Sequence, residues 1–334
     1  MTMEIERVVD AARATELHAI EAANSVVDHA GLPTEPIEDL LGTLPDGMPT
    51  ERVEWYLGSE GGRPVATAVV FMPLKENLHL ANVSVSVAHA ERRRGLGREM
   101  AEFVLDRVRD DGRQLTVTFI GAPVGETAPG EALASALGAK PALASIRREL
   151  LIGDVDDVEL DRLLAEEVAP MAGEYDVVQW VDVAPDAHVD GAAALLPHVF
   201  MDSPRGDLDF EDEVWDGPRY RQFEADVARR NRRLVATGAV HRATGQLAAY
   251  TDITVPMSQQ AAAAQWGTIV EEAHRGHRLG LLVKVHNLRQ LRREFPAAER
   301  VSTWNAEENA HMIAVNEKMG FRVAERYQAW QLHL

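Results

Sequence analysis

The chain contains no cysteine. That excludes disulfides, thiolate metal ligands and a cysteine nucleophile. It lacks a basic start followed by an apolar segment, and no run of about 18 apolar residues occurs, so neither secretion nor membrane spanning is expected and the expected compartment is the cytoplasm. Cationic surplus is missing too. With 34 Lys and Arg against 53 Asp and Glu the net charge is −19, the opposite of the basic surface that broad nucleic-acid binding requires. The Gly-Lys-Ser/Thr of a phosphate-binding P-loop is absent. No metal-ligand spacing emerges, since His274 and His277 sit inside a basic stretch that repels a divalent cation.

What is present suffices for two globular cores. With 46% hydrophobic and 26% charged residues over 334 positions, the chain suits two domains of about 150 to 180 residues. The stretch HRGHRLGLLVKVHNLRQLRREF (274–295) organises the second half, and ERRRGLGREMAEFVLDRVRDD (91–111) organises the first. In each, a basic, glycine-punctuated turn follows a run that reads as a strand and opens into an amphipathic helix. Free backbone N–H groups at such a turn and helix start form a ready anion site. The arginines bring mobile charge, and the glycines let the backbone come close to a phosphate.

The element order repeats. The first half reads as a strand (4–9), a helix (14–30), a short helix broken by Pro and Gly (33–49) and a hairpin turning at Ser59-Glu60-Gly61-Gly62. A strand (77–87), the loop and its helix (about 96–110), a strand (115–120), a short helix ended by Gly138 and a strand (145–152) follow. After an acidic helical stretch the pattern restarts with a strand (174–184), helices (188–200 and 219–231) and a hairpin through Thr244-Gly245. A strand (263–270), the second loop and helix, a strand (300–306), a helix stopped by Gly320 and closing strands (322–334) complete it. Gly62 and Gly245, Arg92 and Arg275, and Gly97 and Gly280 are each 183 positions apart, and Gly138 and Gly320 are 182 apart. Four residue pairs in register, spread over three turns, indicate a tandem duplication.

These residues resemble the GCN5-related N-acetyltransferases (GNAT), whose acyl-CoA diphosphate loop reads Gln/Arg-x-x-Gly-x-Gly/Ala between a strand and a helix. Arg92-Arg93-Arg94-Gly95-Leu96-Gly97 matches in full. Arg275-Gly276-His277-Arg278-Leu279-Gly280 carries Arg278 at the usual middle glycine, which leaves N–H donation intact if Arg278 keeps helical dihedrals. The resemblance covers most of the chain. It implies two tandem mixed α/β (α+β) GNAT domains, each a mostly antiparallel sheet flanked by helices, over 1–152 and 174–334, with a helical linker over 153–173. It also implies acetyl-CoA as acyl donor, held at the diphosphate by both loops. The thioester carbonyl would be held by a strand N–H at Ile269 and Val270 in the second half, or at Val87 in the first. Asn305 ends a strand and can cap the next helix, with Glu308 completing a capping box, and Asn309, Met312, Ile313 and Asn316 share one helical face. The resemblance implies that Asn305 and Asn309 meet the pantetheine arm.

Acyl transfer to an amine also needs a base for the incoming ammonium and an acid for the leaving thiolate. The family's Tyr acid precedes the helix-ending glycine by four residues. Asn316 stands there in the second half and can only hydrogen-bond to sulfur; Ala134 stands there in the first. The first half is therefore expected to hold CoA but to be poorly equipped for chemistry, and the second to be catalytic. Glu272, at the end of the central strand, and Asp252, on the hairpin beside it, are the candidate bases, with Glu271, Tyr250 and His311 nearby. The acidic run Asp207, Asp209, Glu211 and Asp212 falls where an acceptor lip is built and would attract a cation. The expected function is N-acetylation of a small, cationic amine by direct attack in a ternary complex. The alternative is a catalytically weak acyl-CoA-binding or sensing protein. No nucleic-acid or membrane partner is expected, and the chain is expected to be a monomer or a homodimer.

Overall fold

The computed structural model describes residues 3–29 and 32–334. They form two compact units. The first takes the chain up to Ser145 together with Gly206–Glu211 and Glu325–Leu334, and the second takes Ile146–Arg205 and Asp212–Ala324.

In the first unit, β1 (Glu4–Val8) leads into α1 (Ala11–Asp28), whose N-cap Asp10 accepts from the N–H groups of Ala12 and Arg13. Ala30, the expected end of this helix, lies outside the described residues. A short helix, α2 (Ile37–Leu41), precedes the hairpin of β2 (Glu51–Glu60) and β3 (Arg63–Pro73). Its turn holds Gly61 and Gly62 at φ of 55° and 80°, a region glycine enters without steric cost. β4 (Leu80–Val87), α3 (Leu96–Asp110), β5 (Leu115–Pro123) and α4 (Pro129–Ala136) follow, and then β6 (Lys140–Leu151), which passes to the second unit at Ile146. α3 buries Leu96, Met100, Val104 and Val108, one turn apart, against Val65, Ala68 and Val70 of β3.

In the second unit, α5 (Asp157–Leu163) continues as a single wider turn through Val168. Leu160, Leu163, Val168 and Ala172 belong to this unit's main core, so the stretch expected to be a linker is packed structure. β7 (Tyr175–Val181) follows. The single helix expected over 188–200 is two, α6 (Asp186–Leu195) and α7 (His198–Met201), interrupted at Pro197, which has no N–H to donate. Then come α8 (Gly217–Arg229), β8 (Arg232–His241), β9 (Leu247–Pro256), β10 (Ala262–Val270), α9 (Leu279–Glu294), β11 (Arg300–Ala306) and α10 (Ala310–Lys318), and last β12 (Arg322–His333), which passes to the first unit at Glu325. β9 is buried from end to end, as a central strand covered on both faces must be. α9 is buried around most of its circumference, and its polar residues find partners inside: Asn287 donates to Val235 O (3.0 Å) and Gln290 to Trp180 O (2.9 Å).

The strand order is β1-β2-β3-β4-β5-β12 in the first unit and β7-β8-β9-β10-β11-β6 in the second. Each half's closing strand thus completes the other half's sheet. β12 runs antiparallel to β5 from Glu325↔Pro123 to His333↔Leu115, and β6 from Ile146 onward belongs with β11. The units therefore do not follow the sequential division at 152 and 174. The two halves reach this point in the same way, through helices ended by Gly138 and Gly320 at φ of 90° and 95°, so either closing strand has the same geometry to offer.

Candidate functional site

Two strand pairs that begin parallel come apart. β4 and β5 pair only from Leu80↔Leu115 to Asn82↔Val117, and β10 and β11 only from Ala262↔Arg300 to Ala264↔Ser302. On its other edge β4 stays paired with β3 as far as Ala66↔Val87, and Ala88 N–H donates to Val65 O at 2.9 Å. Antiparallel pairing alternates the edge to which each residue's N–H and C=O point. Ser86 therefore faces β3, and Val87 faces the opening. In the second unit Glu271 N–H donates to Ala248 O at 2.9 Å, so Ile269 is committed to β9 and Val270 faces the opening.

The two glycine loops share one backbone. Arg93 and Gly95 sit at φ of 66° and 92°, Gly276 and Arg278 at 87° and 59°. Each loop is left-handed at the same two places, with its glycine at opposite ends. Arg278 does not keep right-handed helical dihedrals; it takes the conformation of Gly95. Among the described residues no side chain caps α3 or α9. The first N–H bonded inside α3 is that of Arg98, which leaves Leu96 and Gly97 as donors at the helix start. The arginines are less mobile than expected. Arg92 donates to Val87 O at 3.1 Å and forks onto Asp28 (2.7 Å at Nη1), and Arg275 repeats this with Val270 O (3.3 Å) and Asp202. Arg94 pairs with Glu60 (2.8 Å) and Glu91.

In the first unit the opening widens into a cavity of about 970 Å³ lined by β4, β5, the Arg92–Gly97 loop, α4 and Trp330 and Leu332 of β12. α1 lays a polar stripe along it. Buried Asn24 donates to Ser86 Oγ (2.7 Å) and Val87 O (3.0 Å) and accepts from His89 N–H (3.0 Å). One turn away, Glu21 accepts from the Thr67 hydroxyl, and Thr67 is the direct partner of Ser86 across β3 and β4. Burial pushes the Glu21 carboxyl up, opposed by Thr67 and His18 and reinforced by Asp28. Sequence reasoning missed Glu21, Asn24 and Asp28. Their signal was spacing, since they continue the inward stripe begun by Leu17, where a helix of this kind otherwise carries apolar residues.

In the second unit Asn305 and Asn316 come together. Asn316 is wholly buried and donates to Asn305 Oδ1 at 2.7 Å. The N-cap of α10 is Asn309, which accepts from Met312 N–H (3.2 Å), in place of the expected box of Asn305 and Glu308. Asn309 therefore caps the start of the helix rather than sharing a face with Asn316. Glu272 is exposed on the turn after β10. Asp252 is wholly buried, accepts from Gly267 N–H at 2.8 Å, and is pushed by burial up to about 7. Lys284, also buried, is pulled down by burial to about 7 and donates to Gln265. It stands 183 positions after Ala101, a residue lining the first unit's cavity. The acidic run is tied elsewhere: Glu211 takes the Asn77 N–H (2.7 Å), Asp209 O meets His79 (3.0 Å) and Asp212 pairs with Arg205 (2.5 Å). Among the described residues no group of three His, Asp or Glu is arranged to hold a metal, and no described helix is long and apolar enough to cross a membrane.

Residues 7–121 match the model of the acetyltransferase (GNAT) family. No curated protein matches the chain. Among solved structures, a tandem GNAT protein from the clavulanic acid biosynthesis pathway is 27% identical, with 99% of this chain and 98% of that chain covered at a TM-score of 0.82. A GCN5-related N-acetyltransferase from Sphaerobacter thermophilus (13% identity, 98% and 95% covered, TM-score 0.66) shares the fold. So does an acetyltransferase of Pyrococcus horikoshii described as putative (15% identity, 100% and 90% covered, TM-score 0.59).

Proposed function

We propose, from the premise that this chain is a tandem member of the GNAT family, that it transfers the acetyl group of acetyl-CoA to the primary amine of a small, cationic acceptor. One observation carries the reading: the first unit's cavity brings the full Arg-x-x-Gly-x-Gly loop, an uncapped helix start and the outward-facing Val87 N–H into one space. Its volume of about 970 Å³ suits a cofactor-sized ligand. Acetyl-CoA supplies the activated acyl group. The N–H groups of Leu96 and Gly97 hold its diphosphate, Arg93 and Arg98 add positive charge at that end, and the Val87 N–H polarises the thioester oxygen. Without cysteine, the amine attacks directly in a ternary complex.

This reading moves the reaction from the second unit, where the sequence suggested it, to the first. In the second unit Lys284 stands in place of cavity-lining Ala101, and Asn316 is enclosed against Asn305. One observation favours the alternative, a weakly catalytic acyl-CoA binder: cavity-lining Ala134 stands at the position of the family's acidic Tyr.

Calorimetric titration of acetyl-CoA into wild-type, Gly97→Glu and Gly280→Glu protein, with thiol release assayed over a panel of amines, tests the proposal. Binding should vanish in Gly97→Glu, where a carboxylate takes the diphosphate's place, and persist in Gly280→Glu. Loss only in Gly280→Glu returns the reaction to the second unit. Binding without thiol release leaves the sensor, and no binding removes both.

A further inference from the structure

The first unit's cavity is polarised. Arg93 and Arg98 lie at its loop end, while the far end is walled by Leu17, His18, Glu35, Asp39, Leu40 and Trp55. Glu21 stands between them. Thr67 holds its carboxyl, and Thr67 is the cross-strand partner of Ser86, the residue beside the Val87 donor, so the carboxyl is tied to the strand pair that presents that donor. Asn24, one helical turn further on, braces Ser86 and Val87 O and fixes α1 against that strand.

We propose that Glu21 accepts the proton of the incoming ammonium, and that the acceptor is a cationic amine with an apolar or aromatic body seated against Trp55 and Leu40. This rests on the reading that acetyl-CoA occupies the same cavity. The acceptor arrives as an ammonium, and the Glu21 carboxylate takes one proton. The freed lone pair attacks the thioester carbon, the C–N bond forms and the C–S bond breaks. The second proton shed by nitrogen goes to the departing thiolate, and Glu21 returns its proton to solvent. A carboxyl raised by burial is a better-matched base near neutrality than one in water.

The charged groups facing Glu21 are His18 and Asp28 of α1; β3 contributes neutral Thr67. The test uses the full chain, acetyl-CoA, and tyramine, tryptamine, putrescine and spermidine as acceptors. Glu21→Gln should lower kcat by at least about 100-fold, keep the acetyl-CoA Kd within about twofold and abolish the acidic limb of the pH–rate profile. Thr67→Val should keep the plateau rate and move that limb to higher pH, because the hydroxyl no longer favours the ionised carboxylate. Glu21→Gln with kcat within about threefold and an unchanged limb overturns the assignment. Where Gly97→Glu abolishes turnover but Glu21→Gln does not, Glu21 alone is wrong; where Gly97→Glu stays active, the first-unit reading has failed. Absence of thiol release with all four amines removes the activity and the role of Glu21 with it. Turnover confined to putrescine and spermidine overturns the apolar-bodied acceptor.

Discussion

Single residues explain why the two loops are twins although their sequences differ. The backbone needs two left-handed residues, and each loop supplies one arginine and one glycine. Left-handed backbone costs an L-residue roughly 1–2 kcal/mol, so Arg93 and Arg278 each carry strain that the glycine two positions away avoids. A Cβ on Gly95 would meet nothing within 4 Å, so a substitution there reads the backbone term alone. Gly95→Ala should destabilise the protein by about 1 kcal/mol, and Arg278→Gly should be neutral or stabilising by up to about 1 kcal/mol, the gain being cut by glycine's looser unfolded chain. Urea unfolding of the two variants checks both signs. Opposite signs would show that the shared loop geometry has been misassigned. Turns of this kind are legible in sequence because their requirement is local, which is why the 183-residue offset showed itself before any fold was known.

At the scale of elements, the site was legible where chemistry follows backbone and hidden where it follows packing. The strand, loop and helix start were readable. The stripe of Glu21, Asn24 and Asp28 was not, because polar residues on a helix read as solvent-facing until the strand they cover is known. The second unit conceals the reverse case. Asp252 on β9, which the sequence offered as a base, and Lys284 on α9, which it did not single out, are both buried side chains. Burial raises the first to about 7 and lowers the second to about 7. The penalty for ionising Asp252 is absent below the usual carboxylate range and complete above about 7. That for Lys284 is complete below about 7 and gone above the usual lysine range. The two overlap near neutrality, moderated by their mutual attraction. Asp252 Oδ2 has no hydrogen-bond partner among the described residues, so little else repays the cost. The double variant Asp252→Asn, Lys284→Met should therefore stabilise the protein by roughly 1–4 kcal/mol at pH 7, and by less at pH 4.5 and pH 9.5. Urea titrations at the three values measure this; a gain that does not peak near neutrality would assign the cost to other groups.

For the whole molecule, the decisive feature is which strand closes which sheet, and this could not be read from the chain. Both SIRRELLI and the run beginning RVAERYQAW read as strands, and both are strands. Their partners are set by pairing across some 200 positions for β12 and some 150 for β6, for which neither sequence carries a local mark. β12 supplies β5 with a nine-residue antiparallel ladder from Leu115 to Pro123, buries Ala329 and contributes Trp330 and Leu332 to the cavity wall. Without it β5 becomes an unpaired edge, its N–H and C=O groups open to another chain, and the cavity loses one side. Ending the chain at Ala324 should therefore abolish acetyl-CoA binding and promote association, although every loop, arginine and α1 residue of the site remains. A fragment of residues 1–152 should fail in the same way. Joining residues 325–334 to residue 145 through a flexible linker should restore binding, since the strand returns to the unit that uses it. Calorimetry against acetyl-CoA and sedimentation of the truncated chain give the answer. Binding at wild-type strength by the chain ending at Ala324 would mean that the site is built within the sequential first half, and that the exchanged strand serves the fold without serving the cavity.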